Sequence, residues 1–276
     1  MSAAYQEGTW KDPASHASLF YRVWVPASSR ALLILVHGFG EHGGRYKPLA
    51  EVLAASGLSV AVPDLCSHGW SSGSRGDIAD VHGCIKLLRQ LTQERFLPLA
   101  KQQQYTLYGH SFGSMVVMRW AMDNPAELQR MIVQSPLLKL AFPIPAWKEF
   151  LGSTMATLNP ELALSMNLDA SALTHDAEIV SAYQKDALVH NRMSARCYRS
   201  ILQTRDVILA NPASITVPTL LMLGEEDRIV SVDTARSWFE KLNCPKRLVV
   251  FPGAYHELHH EPVRAEIIKE ILFWMN

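Results

Sequence analysis

Tyr105-Thr106-Leu107-Tyr108-Gly109-His110-Ser111-Phe112-Gly113 is a short apolar run that passes through Gly-x-Ser-x-Gly into the helical pattern of Ser114 to Met122. A serine placed between a strand and a helix sits on a strained turn with its hydroxyl exposed. A side chain at position 109 or 113 would collide with neighbouring backbone, so glycine stands at both. The turn also leaves the N–H of Phe112 at a helix N-terminus, where it can stabilise an oxyanion. Ser111 therefore reads as a nucleophile, Gly109 and Gly113 as the elbow presenting it, and Phe112 as an oxyanion donor.

A serine hydroxyl is a weak nucleophile until a base takes its proton. The expected chain order is serine, then a carboxylate, then histidine. The run Leu220-Leu221-Met222-Leu223 ends at Gly224, and Asp227 follows in the loop beyond it. Functional groups of open α/β sheets gather at such carboxyl ends. Glu225, Glu226 and Asp233 are rivals, each expected to be a solvated charge. A second run, Arg247 to Phe251, ends in Pro252-Gly253-Ala254-Tyr255-His256-Glu257. His256 is the expected general base, with Asp227 fixing its tautomer and stabilising the imidazolium. His16, His82, His175 and His190 read as surface histidines.

His256-Glu257-Leu258-His259-His260 also fits the zinc-protease pattern H-E-x-x-H. That chemistry needs both histidines on one helical face and a third, distant ligand. Pro252 and Gly253 just before, and Pro262 just after, argue against a long helix there. The reading adopted is no metal, with His259 and His260 as polar loop or helix-start residues. The second oxyanion donor should come from an earlier strand end. Ala31 to Val36 is a continuous apolar run, as for a strand buried on both faces, and ends in His37-Gly38-Phe39-Gly40. The N–H of Phe39 is the expected donor, and His37 is expected to hydrogen-bond the loop.

Four stretches carry a family resemblance: His37 to Tyr46, Gly109 to Gly113, Gly224 to Val230 and Gly253 to His259. They resemble the α/β-hydrolases of the monoacylglycerol lipase and lysophospholipase group. Asp64-Leu65-Cys66-Ser67-His68-Gly69-Trp70-Ser71 resembles that family's D-x-x-G-H-G-x-S turn, with Ser67 where the family usually has glycine. The resemblance implies an α/β-hydrolase fold, esterase activity on a glycerol-type monoester with a long acyl chain, and a cap domain over the site.

Composition agrees with one α/β domain carrying an insertion. The chain has 276 residues and a formal net charge of +0, so nothing points to a nucleic-acid groove. No stretch reaches membrane-spanning length, and the N-terminus lacks a basic-then-apolar signal pattern. Its four cysteines, Cys66, Cys84, Cys197 and Cys244, form no C-x-x-C pair, which suits a reducing, cytoplasmic setting.

Strand patterns at Leu19–Val25, Ala31–Val36, Leu58–Pro63, Tyr105–Gly109, Met131–Gln134, Thr219–Gly224 and Arg247–Phe251 alternate with helical ones. The helical patterns are Tyr46–Ser56, Ile78–Phe96, Val232–Leu242 and Val263–Met275. Such alternation predicts a mostly parallel central sheet flanked by helices, with an antiparallel edge before Ala31 where no helix intervenes. It fails over residues 136–217, which read as a helical cap inserted into a core of 1–135 and 218–276. Apolar residues recur through the first part of this segment. Leu137, Leu138, Phe142, Ile144, Trp147 and Phe150 are the candidates for acyl-chain contact, either as a tunnel or as a face for peripheral membrane contact. Each buried methylene would contribute about 0.8 kcal/mol, so such a lining would select for chain length.

The expected reaction is hydrolysis of a small-molecule lipid ester through an acyl-serine, with no cofactor. A lysophospholipase, a short-chain carboxylesterase and a thioesterase or amidase would use the same serine, acid and base. Arg192, Arg196, Arg199 and Arg205 recur across one cap segment and read as a solvated helix face, with contact to a phosphate head group as the alternative. A non-enzymatic binding protein would have no need of the three groups together.

Overall fold

The computed structural model describes residues 3–143, 154–166 and 168–276. The continuous apolar runs become central strands: β3 (Ala31–Val36) and β4 (Leu58–Pro63), β5 (Tyr105–His110), β6 (Leu128–Gln134) and β9 (Thr219–Gly224). With β1 (Ala4–Lys11), β2 (Ser18–Val25) and β10 (Lys246–Phe251) they form one eight-stranded sheet in the order β1-β2-β4-β3-β5-β6-β9-β10. Every pairing from β4 to β10 is parallel, and β2 runs antiparallel to both β1 and β4. This is the predicted α/β-hydrolase sheet with its antiparallel edge. β1 was not legible in the sequence. Of its residues only Trp10 is buried, so neither alternation nor an apolar run marks it, and pairing with β2 alone makes it a strand.

Helices α1 (Lys47–Ala55), α2 (Val81–Leu91) and α3 (Phe112–Ala121) flank the sheet with α5 (Ala195–Ala210), α6 (Val232–Glu240) and α7 (Arg264–Trp274), while α4 (Ala177–Lys185) packs apart from it, against Leu173, Ile229 and Val230. Successive strand side chains point to opposite faces. Ile34 and Val36 accordingly enter one apolar cluster with residues of α2, α3 and α5. Leu33 and Leu35 enter the other, with residues of α1 and α7. The helical run expected over Ile78–Phe96 starts three residues later, at Val81, and continues past Phe96 to Ala100. The Asp80 carboxylate caps the N–H groups of His82 and Gly83, which starts α2 at Val81. A wide π-turn over Thr92–Phe96 follows, where Pro98 has no N–H to continue the ladder.

Residues 136–217 contain more than helices. β7 (Ala163–Ser165) pairs antiparallel with β8 (Arg192–Ser194). α5 buries Cys197, Ile201 and Ile208 in the same cluster as α2 and α3.

The register sets the site. Val36 pairs with Gly109 and Phe251 with Gly224, so the loops after β3, β5, β9 and β10 leave the sheet along one edge. That is where open parallel sheets place ligands.

Candidate active site

Ser111 joins β5 to α3 with φ 53° and ψ −116°, a strained backbone for any residue but glycine. The turn is held from three sides. Ser111 N–H donates to the Gln134 carbonyl at 3.0 Å, and its own carbonyl accepts from Leu137 N–H at 3.2 Å. Ser114 Oγ donates to the carbonyls of Gly109 and Gln134 at 2.6 and 2.8 Å. A Cβ on Gly109 would stand 2.4 Å from the Gly113 carbonyl oxygen, and one on Gly113 would stand 2.1 Å from that of Val36. Both glycines are therefore required by backbone contact, and the second brings the elbow against the end of β3.

Asp227 Oδ2 lies 2.7 Å from His256 Nδ1, and both side chains are almost fully buried. Asp227 Oδ1 accepts the N–H groups of Ile229 and Val230 at 2.8 and 3.0 Å. Burial opposes the Asp227 charge, but His256 and these two N–H groups outweigh it and hold its pKa below the usual range. Burial likewise opposes protonation of His256, yet the charge and hydrogen bond of Asp227 raise its pKa, with Glu257 and Glu41 adding to the effect. Ser135 Oγ donates to the His256 carbonyl at 2.9 Å and fixes the loop. The rivals do not reach this place. Glu225 and Asp233 are exposed, and Glu226 faces Arg228 at 4.0 Å on the surface.

The loop after β3 meets the elbow. The Phe39 and Phe112 rings pack edge to face with centroids 5.6 Å apart. Phe112 opens α3, so its N–H precedes the helical ladder. Among the described residues no backbone or side-chain acceptor takes the Phe39 N–H. His37 has the structural part expected of it: Nδ1–H donates to the Gly38 carbonyl at 2.7 Å and Nε2 accepts Leu65 N–H at 2.9 Å. Ser67 adopts φ 64°, the left-handed conformation a glycine would take, and its Oγ donates to the Asp77 carbonyl at 2.9 Å.

Other histidines depart from expectation. His190 is not a surface group. Its ring packs against Phe39 and His68, and its backbone N–H donates to the Gly40 carbonyl at 2.8 Å. His259 and His260 lie on a short 3₁₀ turn, as polar loop or helix-start residues would, but are buried there. Glu257 takes both Arg45 guanidinium nitrogens at 2.6 and 2.7 Å, and His260 Nδ1 at 2.7 Å. The H-E-x-x-H stretch is thus divided: His256 pairs with Asp227, while a guanidinium occupies the Glu257 carboxylate that either candidate cation cluster would need.

Sequence reasoning missed a buried polar layer behind the pair. Tyr108 hydroxyl donates to Gln134 Oε1, which turns the Gln134 amide nitrogen toward His110 Nδ1 (2.9 Å) and His259 Nδ1 (3.1 Å). Both rings accept there and so carry their hydrogen on Nε2. Burial and the neighbouring His256 hold His110 at about 3. Its ring centroid is 4.8 Å from that of His256.

Of the acyl-contact candidates, Leu137 is half-buried beside Ser111 and Leu138 is buried in the main core. Phe142 is 48% exposed. Ile144, Trp147 and Phe150 lie outside the described residues. In the arginine run, Arg196 is bound to Asp77 and Glu161 and Arg205 to Asp206, so these two are already committed to carboxylates.

A family model described as serine aminopeptidase, S33, matches residues 27–263. Monoglyceride lipase of Homo sapiens is 30% identical over 287 aligned residues, covering 100% of this chain and 92% of that protein. Monoacylglycerol lipase of Mycolicibacterium smegmatis is 28% identical over 264 residues, covering 93% and 92%. The crystal structure of Paleococcus ferrophilus monoacylglycerol lipase superposes with a TM-score of 0.84 at 29% identity, over 99% of this chain and 98% of that one.

Proposed function

The chain belongs to the serine aminopeptidase S33 family of α/β-hydrolases, and from that premise we propose that it cleaves long-chain monoacylglycerols to glycerol and free fatty acid. The observation that carries the chemistry is the buried Asp227–His256 pair at 2.7 Å, on the sheet edge where Ser111 emerges. Ser111 attacks the ester carbonyl while His256 takes its proton through Nε2, since Nδ1 is engaged by Asp227. The N–H groups of Phe39 and Phe112 receive the developing oxyanion. His256 then protonates the leaving glycerol, and water repeats the two steps to release the fatty acid. No step requires a metal or an organic cofactor. The monoglyceride lipase relatives support the choice of ester.

Fatty-acid release should be measured across a chain-length series of monoacylglycerols, beside short p-nitrophenyl esters and lysophosphatidylcholine. A preference for long-chain monoacylglycerols is expected. Activity confined to short esters would keep the serine chemistry and remove the lipid assignment.

Residues 136–217 act in this reading as a cap inserted between 1–135 and 218–276. Phe142, Leu158, Leu162 and Leu164 expose large apolar side chains within it, apolar surface suited to peripheral membrane contact. No helix among the described residues is long and apolar enough to cross a membrane. The protein should sediment with phospholipid vesicles, and Leu158→Glu with Leu164→Glu should release it. Retention in the supernatant with vesicles of every lipid charge would exclude the contact.

Acid should impair the protein in two ways. His256 is the base only when neutral, and its pKa is raised, so kcat/KM should climb with pH through a midpoint above about 6.5. A midpoint well below that value would disconnect His256 from Asp227. Five other histidines are held neutral by burial, His37, His68, His110, His190 and His259, with His110 at about 3 and His190 at about 4. The unfolded chain takes up protons near pH 6.5 that these folded sites refuse. Stability is thus present above that pH and is lost on descent toward the folded values. His256 has the opposite sign. Its contribution is full below its unfolded pKa and disappears as pH rises through the folded one. Five depressed groups against one raised group make acid loss dominate. Urea midpoints should fall from about pH 6.5 to 4.

A further inference from the structure

The loop that offers the Phe39 N–H and the loop that offers His256 are joined by one side chain. Glu41 Oε1 accepts the N–H of Gly38 and the hydroxyl of Tyr46, each at 2.7 Å. Its other oxygen is bound by Arg45 Nη1. The same guanidinium reaches Glu257, the residue after His256, through two parallel hydrogen bonds of 2.6 and 2.7 Å. Arg45 Cζ also lies 4.7 Å from the centroid of the Tyr183 ring. The side chains of Arg45, Glu41 and Glu257 are only 8%, 4% and 1% exposed.

Stability is a poor explanation for this arrangement. Desolvating three charges costs about as much as their attraction returns, and apolar residues of the same volume are often as stable. A guanidinium fork offers direction instead, because it fixes a carboxylate in both distance and plane. Here it fixes two. One orients the loop with the oxyanion donor, through Glu41 and Gly38. The other orients the loop with the base, through Glu257.

We propose that Arg45 is a positioning residue that holds the oxyanion-binding loop and the His256 loop in a single geometry through Glu41 and Glu257. It touches no reacting atom. The proposal rests on the serine-hydrolase reading above. Lysine cannot replace arginine in this role, since a single ammonium cannot fork to one carboxylate while bonding a second. Relaxing either loop by about 1 Å is enough to cost on the order of 10²-fold in rate.

The test uses the full-length protein as Arg45→Lys, Arg45→Met, Glu257→Gln and the double variant Arg45→Met/Glu257→Gln. Competent sites are counted by fluorophosphonate titration, so misfolded molecules drop out. The single variants should lower kcat per titrated site by on the order of 10²-fold, with KM changed by no more than about threefold. Affinity for an alkylboronic acid, which forms a tetrahedral adduct on serine, should fall in proportion to kcat/KM. The double variant should be no slower than the slower single one, because both remove one link. If Arg45→Met fails to fold, Glu257→Gln and Arg45→Lys carry the same comparison. Unchanged kcat per titrated site with only a lowered thermal midpoint would make Arg45 structural and overturn the inference. Ser111→Ala, run alongside, separates the two claims: ester turnover undiminished in that variant would instead overturn the serine-hydrolase reading.

Discussion

Alanine at position 111 is expected to lower ester turnover by roughly 10⁴-fold or more while leaving the fold in place. The size follows from the chemistry. Without Oγ no acyl-enzyme forms, and the remaining rate comes from substrate binding and the two proposed oxyanion donors, the Phe39 and Phe112 N–H groups. The fold should survive because what holds the elbow does not include the Ser111 hydroxyl. The Ser111 N–H and carbonyl bonds to Gln134 and Leu137, and the Ser114 hydroxyl bonds, do not involve Ser111 Oγ. Alanine meets the same strain at φ 53° as serine, so the unfolding midpoint should move little. Initial rates on a long-chain monoacylglycerol, beside thermal unfolding, read both quantities. Retention of a tenth of the activity would remove Ser111 from the reaction.

Asp227→Asn should cost on the order of 10⁴ in kcat, although it changes almost no volume. In the native protein both Asp227 oxygens are acceptors. One takes the Ile229 and Val230 N–H groups and the other takes His256 Nδ1–H. An asparagine can keep its oxygen on the two N–H groups only by turning its NH₂ toward His256. Nδ1 must then accept, the ring proton moves to Nε2, and the nitrogen proposed to take the Ser111 proton no longer can. The lost carboxylate also removes the charge that raises the His256 pKa. Glu226→Gln is the control. Its carboxylate is a surface group 4.0 Å from Arg228, so activity should stay within about twofold. A large loss in Glu226→Gln with a small one in Asp227→Asn would reassign the acid.

The elbow was legible because its constraints are local. Gly109, Ser111 and Gly113 fall within one turn, and the apolar strand before them and the helix after them are patterns of a few residues. Strand ends at Val36, Gly224 and Phe251 were legible for the same reason. The buried layer was not. Gln134, His110 and His259 come from three separate loops and strands, and each alone reads as an ordinary polar residue. His190 read as a surface group because nothing near it in the chain announces that its ring meets Phe39 and His68.

By itself the sequence determined the alternation of strands and helices, the turn that exposes Ser111, and the order in which an acid and a histidine follow it. Periodicity and turn sterics act over a few residues, so they are written in neighbouring letters. The sequence put Asp227 ahead of its rivals, and tertiary structure decided that it, and not the adjacent Glu225 or Glu226, meets His256, since that contact depends on which loop carboxylate is buried. Tertiary structure also made β1 a strand by pairing it with β2, and it brought Arg45 to Glu257 across 212 positions of chain. Charges become directional and strong only after water has left them, and only the packed fold removes the water.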